Sequence, residues 1–480
     1  MSSNLSLSVL IIGAGPSGNT AAAALASDGH IVTVLERHPQ LQTRGGNIIV
    51  QPSAVQCLSL IGISESLDRV SVDSTNHCLW RWKDDKPFTE TTAIPDGTTR
   101  KLTDRPSLQR VTFEAAVDAG AKYMFGKPVI LLDEHESGCI LVKVADGDEY
   151  LADLVIGADG IKSRVRELMF PGQDMRPVTT PECIFQTEVD IDIVQQDPVA
   201  APLGVLSHHL MFGPGRYCVG RPTAHGKMRL LLCNMEYGDP STDEDLGATW
   251  NSDGDPAELR VAFKGFGAPL RAYIECVVRG GRPIDKWHVA TAPKMKTWLG
   301  FSGRCVLIGD AAHAMLPHTA QGVSQGIEDG LAISTALRWA MQREDLPSIL
   351  QKWESLRKPR AEKMFDVGHK NISMFTLPDG PEQEARDQRL ATTGLTGKPT
   401  DWKSVEMDEN APRMSPEYTK WAMCYDVVVE VSRILEIQPW RTSDNDLSVR
   451  PTEPSPRGSL IEKRTSLINI FRVKLKLKLS

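Results

Sequence analysis

Six residues near the start of the chain constrain it more than any others: Gly13-Ala14-Gly15-Pro16-Ser17-Gly18. They follow an unbroken apolar run, Val9 to Ile12, of the kind a parallel strand buried on both faces requires. An alanine-rich helical stretch, Asn19 to Ser27, comes next; Gly29 ends it, and Ile31 to Leu35 reads as a second buried strand. The spacing predicts a βαβ unit. In its first turn Gly13 permits the tight bend, Gly15 lets backbone approach a pyrophosphate, and Gly18 lets helix and strand pack closely. The helix N-terminus then offers unpaired N–H groups and a partial positive charge to phosphates. Glu36 ends the second strand, where a carboxylate accepts both ribose hydroxyls and repels a 2′-phosphate. The nucleotide expected here is FAD or NAD, not NADP.

Two later loops have the same strand-to-loop character. Asp153 to Ile156 ends in Gly157-Ala158-Asp159-Gly160, followed by Ser163, Arg164 and Arg166, which taken alone is also an ordinary Asp-Gly turn. The third runs from Cys305 to Ile308 into Gly309-Asp310-Ala311-Ala312-His313-Ala314, then through Pro317, Gln321, Gly322 and Gly326 to Glu328-Asp329-Gly330. Asp310 at a strand end can accept from a ribityl hydroxyl, and the small residues after it leave room for a flat ring. A helix starting near Gly322 and Val323 can aim its positive end at a flavin N1–C2=O edge.

Between the loops the text alternates in short runs: Leu79-Trp80-Arg81-Trp82 within 73–102, and His209-Leu210-Met211-Phe212 and Met228-Arg229-Leu230-Leu231 within 181–281. These predict a second, mostly antiparallel sheet inserted into the first domain. Leu108 to Ala119 has helical spacing, a long helix is expected from about Val323 to Met341, and helical text continues to about Ser373. Leu377-Pro378-Asp379-Gly380-Pro381 breaks it, and Pro416 to Leu435 is amphipathic. From Thr442 the chain is rich in Ser, Pro, Asp and Arg, as disordered segments are.

The balance of 54 Lys+Arg against 61 Asp+Glu, a net charge of −7, argues against a nucleic-acid grip. The 9 cysteines show no CxxC pair and no metal spacing, so reduced thiols and no metal site are expected. No signal-peptide pattern and no membrane-length apolar run is present, which reads as a soluble, cytoplasmic protein.

With these residues in view, the chain resembles the group A FAD-dependent aromatic monooxygenases of the para-hydroxybenzoate hydroxylase fold, from about Ser6 to Leu435. Within that family it is similar to the fungal salicylate hydroxylase-like branch, on Ala311 to Pro317, Leu377 to Gln383 and Trp421 through Tyr425-Asp426. The resemblance implies an α/β fold: a three-layer Rossmann-like FAD-binding domain (1–72, 103–180 and 282–375), an inserted substrate-binding sheet (73–102 and 181–281), a C-terminal helical segment (376–441) and a basic tail (442–480). It implies FAD as cofactor, NAD(P)H and O2 as co-substrates, and hydroxylation of an aromatic or phenolic small molecule through a flavin C4a-hydroperoxide, in secondary metabolism or aromatic catabolism. Arg105 in Arg105-Pro106-Ser107-Leu108 looks like the family arginine near the ribityl chain, with Arg110 as the alternative. Arg44-Gly45-Gly46 looks like the flavin-contacting loop, and Pro317 would lie beside C4a.

Three positions depart from the family pattern. Ile49 stands where relatives often present His or Gln to substrate, Gln186 where some carry a substrate-binding Arg, and Arg221 where many carry Tyr before Pro. These make Ile49, Gln186 and Arg221 the candidate substrate residues, with Arg221 an anchor for a phenolate or carboxylate and His209 a candidate base facing either pocket or solvent. Epoxidation or oxidation of a less polar terpene- or indole-type molecule is the alternative. The alternating Arg472 to Leu479 is two-faced and basic, which suits a solvated tail or contact with an anionic membrane surface.

Overall fold

The computed structural model describes residues 5–42, 45–74, 76–92, 94–235, 251–397 and 401–436; Arg44 and the basic tail 442–480 lie outside them. Along the chain, β1 (Ser8–Ile12), α1 (Pro16–Ser27) and β2 (Ile31–Glu36) make the first crossover. β3 (Asn47–Val50) and β4 (Val72–Asp73) leave that layer, and β5 (Asn76–Arg81) and β6 (Thr89–Thr92) begin a second sheet. β7 (Lys101–Asp104), α2 (Arg105–Asp118) and β8 (Lys122–Phe125) return to the first. Next come a meander of β9 (Val129–Glu134), β10 (Ile140–Val144) and β11 (Glu149–Ala152), then β12 (Leu154–Gly157) and α3 (Arg164–Met169).

The second sheet resumes with β13 (Val178–Asp190), β14 (His208–Gly213), β15 (Arg216–Pro222), β16 (Lys227–Asn234) and β17 (Asn251–Asp253). It is backed by α4 (Ala268–Arg279) and closed by β18 (Asp285–Thr291). β19 (Leu299–Gly300), β20 (Cys305–Leu307), α5 (Gly322–Leu337) and α6 (Leu346–Phe375) complete the first domain. α7 (Pro381–Thr393), α8 (Pro416–Met423) and α9 (Val427–Glu436) follow.

The first sheet has the order β19-β20-β12-β1-β2-β8, and every pairing is parallel except β19 with β20. That order sends the carboxyl ends of β1, β12 and β20 side by side at its centre, where the three loops emerge. The second sheet, β17-β18-β13-β16-β15-β14-β5-β6, is antiparallel apart from β14 with β5. Strand alternation divides its side chains between two cores. Cys78, Trp80, Met211, Cys218, Leu230 and Leu232 meet Leu270, Tyr273 and Ile274 of α4 on the outer face. Leu79, Leu210, Phe212, Tyr217, Val219 and Leu231 meet Leu316, Met374 and Phe375 on the inner face, toward the first domain.

The strand that follows residue 282, β18, pairs along β13 from Thr291 to Asp285 and extends the second sheet. The meander β9–β11 was not foreseen, although Val129, Leu132, Ile140 and Val142 join the main core. Among the described residues no helix is long and apolar enough to cross a membrane.

Candidate active site

The shape of the first loop is set by what its glycines exclude. Gly13 has φ +109°, and a Cβ there would lie 2.4 Å from the Ala158 carbonyl oxygen. At Gly18 a Cβ would lie 2.2 Å from the Gly13 oxygen, so this glycine sets the helix–turn contact. Around Gly15 nothing among the described residues lies within 4 Å of where a Cβ would stand, so this stretch of backbone faces open space. Gly15 caps α1 without any side-chain hydrogen bond, leaving the first-turn N–H groups for an anion. Glu36 is buried and its Oε2 accepts from Ala14 N at 2.9 Å, closing the turn, while Oε1 accepts from His38 N at 2.9 Å. A carboxylate retains further acceptor sites for ribose hydroxyls. Gln109 of α2 donates to the Ala14 oxygen at 2.7 Å, which ties α2 to the same turn.

In the second loop Asp159 accepts from Ser163 Oγ, from Arg164 N at 2.7 Å and from Val165 N at 3.1 Å. Its carboxylate caps the start of α3, so the loop backbone, half-buried against Gly13, is the part offered to a ligand. Buried Arg166 donates to the Ala311 oxygen at 2.8 Å and joins the second loop to the third. Asp310 is half-buried and its carboxylate has no hydrogen-bond partner among the described residues. Such a free acceptor suits a ribityl hydroxyl.

The third loop is held from below by charge. Asp329 Oδ2 accepts from Gly309 N at 3.0 Å and lies 2.6 Å from His313 Nε2. Its Oδ1 accepts from Arg357 Nε at 2.9 Å. Glu328 accepts from Arg357, Arg360 and Ser53. Gly326 and Gly330 bring α5 onto α1: a Cβ at Gly326 would meet Ser17 Oγ at 2.1 Å, and one at Gly330 would meet Ala21 N at 2.8 Å. Gly322, one turn earlier, has only Met315 Cγ near, at 3.7 Å. Gln321 caps α5 without a side-chain hydrogen bond, so Gly322 and half-buried Val323 present open N–H groups. Pro317 is exposed, whereas Leu316 and His318 on either side of it are buried.

The loop before β3 meets both domains. Arg105 N donates to the Gly46 oxygen at 3.0 Å, and a Cβ at Gly45 would lie 2.8 Å from Arg105 Cβ. The Arg105 and Arg110 side chains are exposed on α2 with no ion pair among the described residues. Gln186, on the inner face of β13, accepts from Asn47 N at 3.3 Å, and a Cβ at Gly46 would lie 2.8 Å from its Oε1. Part of Gln186 is therefore engaged in holding the glycine loop. Ile49 is buried in β3 opposite Leu102.

His209 lies on the outer face of the second sheet, away from the first domain. It shares the outer face with Gly220 and Met211, accepts from Trp80 Nε1 at 3.2 Å, and lies 3.4 Å from the Val205 oxygen through Nε2. Burial brings its pKa down to about 4, and because the ring packs against Trp80 on the outer face the candidate base is withdrawn. His208, one residue earlier, faces inward instead. Arg221 also faces inward, is 6% exposed and has no acceptor among the described residues. Tyr217 pairs with His318 Nδ1, and His318 Nε2 lies 3.0 Å from Glu182 Oε2.

Comparison with known families identifies the cofactor. The FAD binding domain family matches residues 6–203 and 282–367. The chain belongs to that family. This FAD-binding protein is 28% identical to the FAD-dependent monooxygenase atnJ of Arthrinium sp over 402 residues, covering 82% of this chain and 91% of that one. It is 28% identical to salicylate hydroxylase of Pseudomonas putida, covering 81% and 91%. Its fold is that of CtdE in complex with FAD and substrate 4, with a TM-score of 0.74 and 21% identity, covering 90% of this chain and 98% of that one. The salicylate hydroxylase substrate complex superposes with a TM-score of 0.71 at 21% identity, covering 89% and 98%.

The protein is thus an FAD-dependent monooxygenase that draws its electrons from NAD(P)H. The residues present fit the cofactor: an uncovered backbone at Gly15, two uncapped helix starts, and a free carboxylate at Asp310. Sequence reasoning missed Arg357, Arg360, Glu182 and Arg100, which lie outside the loops. Arg357 and Arg360, three apart on one helix face, carried a readable signal; Glu182 and Arg100 carried none.

Proposed function

We propose that the enzyme hydroxylates an aromatic or phenolic small molecule: substrate-H, NAD(P)H, a proton and O2 give substrate-OH, NAD(P)+ and water. Bound FAD supplies the hydride acceptor and the activation of O2. Gly13, Gly15 and Gly18 would seat the pyrophosphate, Glu36 the ribose, and Asp310 with Arg105 or Arg110 the ribityl chain. Gly322 and Val323 would donate to the ring edge, and the Gly46 backbone would lie against the ring. The substrate would lie between exposed Pro317 and the inner face of the second sheet.

The observation that carries this reading is that wall. Leu210, Phe212, Tyr217, Val219 and Leu231 form one apolar surface with Leu316, the neighbour of Pro317. It shields the reacting centre from water and suits a flat ring. The names of the relatives, salicylate hydroxylase and 3-amino-4-hydroxybenzoate 2-monooxygenase, point to the same substrate class. The test is NAD(P)H oxidation by the purified yellow protein across phenols, hydroxypyridines and indoles, with product masses raised by one oxygen. Peroxide release without an oxygenated product from every aromatic would overturn it in favour of a less polar substrate.

A further inference from the structure

Cross-strand register places five inner-face residues in one row over the second sheet. Glu188 pairs with Arg229 and Arg229 with Arg221, while His208 pairs with His77. The His209–Gly220 pairing sets Arg221 beside His208, so the row reads Glu188, Arg229, Arg221, His208, His77. Glu188 is taken by two cations, Lys227 and Arg229, each at 2.7 Å. Beyond it the row holds no acid. At its far end Arg100 donates to His77 Nε2 at 2.8 Å and to Ser74 Oγ at 2.9 Å.

Arg221, His208, His77 and Arg100 are 6%, 5%, 6% and 3% exposed. Arg100 donating to Nε2 makes that nitrogen an acceptor and puts the proton of neutral His77 on Nδ1. That Nδ1, both ring nitrogens of His208 and Arg100 Nε are buried without a partner among the described residues. Arg221 likewise meets no acceptor among the described residues. Burial and mutual repulsion bring Arg221 down to about 9, and burial brings Arg100 down to about 10. A buried group of donors and two cations without an acid is costly unless an anion joins it.

We propose that Arg221, His208, His77 and Arg100 together form the specificity site for a carboxylate on the substrate, seated at the end of the apolar wall away from the Tyr217–His318 pair. This rests on reading that wall as the substrate pocket, and it names the charge the substrate carries. Arg221 supplies a forked cation, and the two imidazoles and Arg100 supply further donors to the same oxygens.

The holoenzyme is melted with benzoate, 2-naphthoate or indole-3-carboxylate, each against its amide, while the absorbance of bound flavin is read separately. At least one acid should raise the melting temperature by more than about 3 °C where its amide does not. Arg221→Met should remove that shift while keeping its flavin, and Arg221→Lys should keep part of it. Equal shifts from acid and amide, no shift from any acid, or a shift that survives Arg221→Met would overturn the proposal. A colourless protein that still prefers the acid would instead refute the flavin reading alone.

Discussion

The Arg357 guanidinium on α6 donates to the Asp329 carboxylate on α5 across 2.9 Å, and neither side chain reaches solvent. The other Asp329 oxygen holds Gly309 N and His313, so one carboxylate fastens α6 to the loop that carries Asp310. Arg357→Met would leave Glu328 and Asp329 with less compensation in a dry interior, and stability should fall by about 3–5 kcal/mol. Urea titration measures that loss, and flavin content should fall with it. Arg357→Lys keeps the charge but not the fork and should fall between the two. A variant as stable as the wild type would show that the pair does not hold the loop.

The two glycines at the α1 turn should separate folding from cofactor binding. Gly18→Ala places a methyl 2.2 Å from the Gly13 oxygen, so backbone must move and the melting temperature should drop. Gly15→Ala meets nothing within 4 Å and should fold normally. Its methyl would occupy the approach proposed for the pyrophosphate, so the protein should purify with little flavin. Circular dichroism melts and the ratio of flavin to protein absorbance check both. A fully yellow Gly15→Ala protein would place the phosphates elsewhere.

What could be read from the residues follows from how local each signal is. The βαβ unit and its glycines were legible because a turn, a phosphate approach and a close packing contact are set within six consecutive residues. The second sheet was legible as alternation, but not which face of β14 looks inward. His208 and His209 are both 95% buried or more, and only the register with Gly220 and the packing of Trp80 tell them apart. The row from Glu188 to His77 needs residues from five strands spread over more than a hundred positions, and no spacing rule connects them. The meander β9–β11 had its Ser137-Gly138 and Asp146-Gly147 turns in plain sight, yet its role in the main core exists only in three dimensions.

Because His209 packs among the outer-face residues, His209→Gln should keep its flavin and oxygenate within about twofold of wild type, since it touches no part of the pocket. The pH dependence should change. The folded pKa of about 4 lies below the ordinary 6.5, so the unfolded chain takes up this proton first. The stability linked to His209 is whole above about 6.5 and is lost as the pH falls toward about 4, at up to about 1.4 kcal/mol per pH unit. His77 and His208 are lowered too, but they are common to both proteins and cancel in the difference. Parallel urea titrations from pH 7 to 4.5 should show the variant losing less stability than wild type. Identical slopes would mean that His209 titrates freely.

Glu182, His318 and Tyr217 form a buried chain directly behind exposed Pro317. His318 is fixed on both ring nitrogens, and its carbonyl oxygen accepts from Asn371 Nδ2 at 3.0 Å. The turn bearing Pro317 is therefore anchored to β13, β15 and α6 at once. Removing His318 leaves the Glu182 carboxylate buried with no partner among the described residues, whereas removing both should cost less than the sum of the single losses. A cycle of Glu182→Leu, His318→Phe and the double variant should give a coupling of at least about 1.5 kcal/mol in urea. Each single variant should also waste reducing power, giving less oxygenated product per NAD(P)H consumed, because the wall that excludes water is loosened. Additivity within about 0.5 kcal/mol together with unchanged product yield would show that the chain is packing alone and that Pro317 is positioned by other contacts.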